Sequence, residues 1–158
     1  MIAPQDDARI ALACLDLTLL GDDDTPADVE QLCRRAQGRF GQVAAVCVWP
    51  RFAALACARL PGSVRVAAVA NFPAGGSDIA AALADVRAIV DAGAQEVDVV
   101  MPWRDHAAAP ALLAAVREAC RGLTLKVILE TGALPDDEAV RLACRVALAA
   151  GADFLKTS

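Results

Sequence analysis

The chain has 158 residues, 57% of them hydrophobic and 22% charged, with a formal net charge of −5 at pH 7. An acidic balance disfavours nucleic acid, whose phosphates ask for a basic face, and so apolar a composition argues against disorder. No apolar run reaches the ~18 residues of a spanning helix, and Asp6, Asp7 and Arg9 stand where a signal peptide needs an apolar core, so a soluble cytoplasmic protein without a membrane partner is expected.

In chain order, a short helix over about 6–13 precedes a first strand, Leu15–Leu20. Helical periodicity follows over about Pro26–Phe40, then a strand over Ala44–Trp49 and a helix over about Arg51–Leu60. A third strand, Val64–Asn71, leads to a helix over about Asp78–Ala92, and a fourth, Glu96–Met101, to one over about Ala107–Arg121. A fifth strand, Leu125–Thr131, a helix over about Asp136–Ala150 and a sixth strand, Phe154–Ser158, complete the series. Capping signals mark the boundaries: Thr25-Pro26-Ala27-Asp28, Ser77-Asp78 and Pro135-Asp136-Asp137-Glu138 open helices, and Gly41, Gly93, Gly122 and Gly151 follow them. Cys14, Cys33, Cys47, Cys57, Cys120 and Cys144 contain no C-x-x-C pair and read as free thiols in a reducing compartment. His106, beside Asp105, reads as a surface residue.

Strict alternation of strand and helix implies a parallel sheet with right-handed crossovers, compatible with either a doubly wound sheet or a (β/α)₈ barrel. Polar residues inside the strands separate the two. Alternate strand residues share a face, which groups Asp16 with Thr18, Glu96 with Asp98 and Phe154 with Lys156. Charges recurring on one face of successive strands need a shared polar interior, which a barrel provides. Residues 1–158 are therefore read as a single domain, the N-terminal portion of a TIM (β/α)₈ barrel truncated to about six βα units.

The sharpest chemical signal is a scarcity. Of 15 basic residues only Lys126 and Lys156 are lysine, and both lie in apolar strands. Arginine replaces lysine as a charge, but its guanidinium cannot deprotonate and form an imine. Retention of lysine only in strands therefore points to a reacting amine; two snorkelling lysines left by chance are the bland alternative. A free lysine is neutral in about one molecule per 2,500 at pH 7, so a drop of about three units, from desolvation and a like charge, is expected of a reactive one. Lys126, one strand spacing (~4.8 Å) away, is expected to supply part of that drop for Lys156.

Asp98, on an inward position two strands from Lys156, is the candidate acid–base residue, or else a carboxylate satisfying a buried ion pair. Asp16 has the same two readings; with Thr18 and Cys47 it is expected to line the substrate pocket. Cys47 is not expected to act as a nucleophile, since no histidine falls beside it. Ala74-Gly75-Gly76-Ser77 precedes a helix and reads as a turn, with a phosphate cradle as the weaker alternative.

Seven blocks, in order, resemble the deoxyribose-phosphate aldolase family: Leu15-Asp16-Leu17-Thr18, Gly21-Asp22-Asp23-Asp24-Thr25, Cys47-Val48-Trp49-Pro50-Arg51-Phe52, Asn71-Phe72-Pro73, Glu96-Val97-Asp98-Val99-Val100-Met101-Pro102, Leu125-Lys126-Val127-Ile128-Leu129-Glu130-Thr131-Gly132 and Gly151-Ala152-Asp153-Phe154-Leu155-Lys156-Thr157-Ser158. The resemblance implies a class I aldolase joining acetaldehyde and glyceraldehyde 3-phosphate reversibly into 2-deoxyribose 5-phosphate, without metal or organic cofactor. It implies Lys156 as the imine-forming lysine, Asp98 as the proton relay and Lys126 as the lysine on the preceding strand. The partners implied are a phosphorylated sugar and an aldehyde, with a homodimer as the assembly considered. The family motif continues past Ser158, and a later strand with a second catalytic lysine and the phosphate-binding loops are expected beyond it. Another Schiff-base barrel aldolase or transaldolase, and a non-catalytic half-barrel that associates with a partner, are the competing readings.

Overall fold

The computed structural model describes residues 4–157. Six strands form one parallel sheet in the order β1 (Asp16–Leu19), β4 (Ala45–Val48), β5 (Arg65–Ala70), β6 (Glu96–Val100), β7 (Thr124–Ile128) and β8 (Phe154–Lys156). The helices are α1 (Pro4–Ala13), α2 (Pro26–Arg35), α3 (Pro50–Arg59), α4 (Ile79–Asp91), α5 (Ala109–Ala119) and α6 (Asp137–Ala149). All six expected strands and six expected helices are present; Ser158, read as the end of the last strand, lies outside the described residues.

The second helix is shorter than its periodicity suggests. It stops at Arg35, and residues 37–42 instead turn back in a small antiparallel ribbon, β2 (Gln37–Gly38) with β3 (Gly41–Gln42). Two glycines three residues apart explain the change: each costs about 1 kcal/mol inside a helix, and Gly41 takes φ +137, closed to other residues. At the start of α2 the expected capping box forms, Thr25 and Asp28 exchanging side-chain-to-backbone hydrogen bonds.

The sheet is curled, and an ion pair measures how far. β1 and β8 are the two edges of six strands, about 24 Å apart if flat at ~4.8 Å per spacing. Yet Asp16 on β1 comes within 3.6 Å of Lys156 on β8. The edges therefore bend toward each other around a concave face, as in a partly closed barrel.

Alternation assigns the two faces. Val46, Val66, Val97, Leu125 and Val127 point outward into the main core, where they meet Val29, Ala53, Val86, Ile89, Leu112 and Leu113 of the helices. On the concave side a second, small apolar cluster, Cys47, Ala67 and Val69, borders the charged residues. Among the described residues no helix is long and apolar enough to cross a membrane.

Candidate active site

The staggered register of the parallel strands brings residues distant in sequence onto one inner surface. Asp98 lies beside Lys126, and Lys156 beside Ile128 one strand further on. Asp16 leans in from β1 and Cys47 from β4, where Cys47 is in register with Thr18. Lys126 Nζ sits 2.6 Å from Asp16 Oδ2, 2.6 Å from Glu96 Oε2 and 3.4 Å from Asp98 Oδ1. Lys156 Nζ donates a short hydrogen bond to Asp98 Oδ2. The Cys47 thiol donates to the same oxygen at 3.5 Å.

Asp98 is fully buried, Lys126 nearly so, and Lys156 half-buried. A buried carboxylate persists as a charge only when paired, and here two ammonium groups flank it. Its Oδ1 is buried without a hydrogen-bond partner among the described residues and is ion-paired only with Lys126, at 3.4 Å. A cavity of about 470 Å³ opens beside the two lysines, lined by Asp16, Glu96, Lys126, Phe154 and Lys156 among others.

The electrostatics differ from the sequence reading in one respect. Burial is the largest single influence on the Lys156 amine and pushes it down, but the Asp98 charge, the neighbouring Cys47 sulfur and the Asp98 hydrogen bond together override it and hold the amine above the usual lysine range. Lys126 does act in the expected direction, lowering Lys156, yet it is the weakest contributor. For Lys126 itself burial is likewise overridden, by Asp98, Asp16 and Glu96, and its amine is strongly raised. The resting site thus holds a protonated Lys156, because a carboxylate in contact outweighs a like charge held on its own counter-ions. Burial, followed by the neighbouring Asp98 charge, pushes the Cys47 thiol far up; it is a thiol rather than a thiolate.

Asp16, Cys47, Asp98, Lys126 and Lys156 therefore converge. Thr18 lies on the same strand as Asp16 but is exposed, its hydroxyl donating to the Asp16 carbonyl at 3.2 Å. Two residues were missed as members of the cluster. Glu96 pairs with both Lys126 and Arg65, the latter at 2.8 Å. Its alternation with Asp98 was the available signal; Arg65 carried none, standing at the polar start of its strand.

The Ala74-Gly75-Gly76-Ser77 segment is a turn and not an open cradle. A side chain at Gly75 would strike the Met101 carbonyl at 2.6 Å, the Gly76 carbonyl accepts from Asn71, and the Asp78 carboxylate caps α4. His106 is only partly exposed, and its Nδ1 is buried without a hydrogen-bond partner among the described residues. It is held inside the loop after β6 and is not the plain surface residue expected.

Residues 10–158 match the profile of the DeoC/LacD family aldolases. The chain belongs to the DeoC/LacD aldolase family. It is 45% identical to the deoxyribose-phosphate aldolase of Agrobacterium fabrum over 98% of this chain and 63% of that protein. Among solved structures, the deoxyribose phosphate aldolase of Aeropyrum pernix, described as tetrameric, superposes with a TM-score of 0.83 at 28% identity, over 99% of this chain and 65% of that one. A Toxoplasma gondii structure assigned as a deoxyribose-phosphate aldolase gives a TM-score of 0.90 at 26% identity, over 98% and 61%. The chain thus spans a little over three-fifths of the length of these DeoC-type relatives, and its curled six-stranded sheet corresponds to that share of their TIM-type barrel.

Proposed function

We propose that this chain carries the reacting lysine of a deoxyribose-phosphate aldolase, which cleaves 2-deoxy-D-ribose 5-phosphate reversibly to glyceraldehyde 3-phosphate and acetaldehyde. The observation that carries the proposal is the contact between the Lys156 amine and the buried Asp98 carboxylate, in a chain whose family consists of aldolases. The 45% identity to the Agrobacterium fabrum enzyme supports the substrate assignment.

The neutral fraction of Lys156, which grows as pH rises toward its raised midpoint, attacks the C1 aldehyde of the open-chain sugar. The carbinolamine loses water to give an imine. Removal of the C3 hydroxyl proton then breaks the C2–C3 bond, releasing glyceraldehyde 3-phosphate and leaving an enamine on Lys156. Protonation of the enamine carbon and hydrolysis release acetaldehyde and restore the amine. Asp98, in contact with the Lys156 nitrogen, is the residue assigned to move these protons. Lys126, pinned between Asp16 and Glu96, supplies a second ammonium beside Asp98. Asp16, Thr18 and Cys47 line the pocket around the reacting carbons.

The test is a coupled assay for glyceraldehyde 3-phosphate released from 2-deoxyribose 5-phosphate by protein containing this sequence. Release that disappears in Lys156→Arg supports the proposal; release that survives it overturns the assignment of the lysine.

A further inference from the structure

Arg65, Glu96, Lys126, Asp16, Asp98 and Lys156 form one contiguous network of three cations and three carboxylates. It runs from the exposed start of β5 to the end of β8. The reaction described above uses its inner members and leaves the outer pair unexplained. Glu96 is a buried carboxylate, yet it reaches neither Lys156 nor Asp98; its partners are Arg65 Nε at 2.8 Å and Lys126 Nζ at 2.6 Å. Arg65 is half-exposed and bridges onward to Thr124 Oγ1 at 3.5 Å.

A buried carboxylate is costly unless it is paired, so its position asks for a reason. We infer that Glu96, held by Arg65, is a positioning residue that anchors the Lys126 ammonium low on the concave face and so leaves Asp98 to Lys156. This deepens the proposed aldolase reading and rests on it only for the role of Lys156 as the reacting amine. Without Glu96, Lys126 would keep two carboxylates, Asp16 and Asp98. Its ammonium, now 3.4 Å from Asp98 Oδ1, would close on the oxygens that Lys156 uses.

Among the described residues, the charged and titratable groups facing Lys156 are Asp98 from β6, Asp16 from β1, Lys126 from β7 and the Cys47 thiol from β4. Loss of the Glu96 charge removes an anion from this balanced set and turns Lys126 toward Asp98. Both changes favour the neutral amine at Lys156. Loss of the Arg65 charge does the opposite, because it leaves Glu96 wholly to Lys126 and tips the set toward net negative charge.

The chain's two lysines make this directly measurable. In protein containing this sequence, labelled with ¹³C at lysine Cε, the signals of Lys126 and Lys156 are assigned with Lys126→Arg and Lys156→Arg. In Glu96→Gln the Lys156 midpoint is expected to fall by about one unit, which is about tenfold more neutral amine at a given lower pH. In Arg65→Gln it is expected to rise by a smaller amount. A merely structural pair would move both midpoints in the same direction, or neither, and either result overturns the inference. Should Glu96→Gln fail to fold, Arg65→Gln, at a half-exposed side chain, decides alone: an unmoved or lowered Lys156 midpoint sinks it. The titration needs no substrate. Opposite shifts in a protein without lyase activity would remove the aldolase reading and leave the coupling standing.

Discussion

The two faces of the same six strands are made of opposite chemistry. Outward residues such as Val46, Val66, Val97 and Leu125 are fully buried against helices and carry no polar atoms in their side chains. Inward positions one residue away hold Cys47, Asp98 and Lys126, also buried, with two small or branched apolar residues, Ala67 and Val69, between them. The outer face asks only for apolar volume, and each fully buried Val or Leu contributes about 1.5–3 kcal/mol. The inner face gains no such return; its charges survive burial by pairing with each other, and their arrangement suits proton transfer. Stability and chemistry are thus separated by the pleat of the strand.

That separation can be broken from either side. The largest effect is expected from Lys156→Arg, which keeps the charge next to Asp98 but cannot form an imine: lyase activity should vanish while thermal unfolding stays close to wild type. Asp98→Asn should come next. It preserves shape but removes the base, so exchange of acetaldehyde methyl protons should slow by roughly 10²–10⁴-fold, while borohydride still traps an adduct. Wild-type exchange in this variant would make Asp98 structural.

On the outer face, Leu112→Ala empties a site with no exposed surface on α5. A loss of about 2–5 kcal/mol in denaturant unfolding is expected, with unchanged pH dependence of whatever activity the folded fraction retains. A shifted pH profile would show that the two faces are coupled. The smallest effect is expected from Cys47→Ala. Its thiol is held far up in pKa by burial and Asp98 and donates only a long hydrogen bond, so turnover should change by no more than a few-fold.

The outer face was almost wholly legible in the sequence, because period-two and helical patterns are local and each helix carries its own caps. Asp98, Lys126 and Lys156 were also legible, as charges placed in apolar strands with only two lysines in the chain. The protonation of Lys156 was not. It depends on which oxygen lies in contact across the register of three strands, and no local pattern encodes that distance. Nor was the Arg65–Glu96 pair, since an arginine opening a strand usually faces water. The 37–42 ribbon was hidden by helical periodicity that continued past Arg35, where two glycines decide otherwise.

The pH response follows from the Lys156 contact. Its amine is raised in the folded protein, so the reactive neutral fraction grows about tenfold per unit as pH climbs toward the folded midpoint. The stability gained from its pairing with Asp98 is fully present below the unfolded lysine pKa of about 10.4 and is lost as pH rises through the higher folded value.

The most direct test of the central claim is reductive trapping. Protein containing this sequence is incubated with acetaldehyde and borohydride across a pH series, digested, and mapped by mass spectrometry. An ethyl group on the peptide bearing Lys156, increasing with pH and absent from Lys126, is the expected result. Label confined to Lys126, or no label on either lysine in folded protein, would contradict the account.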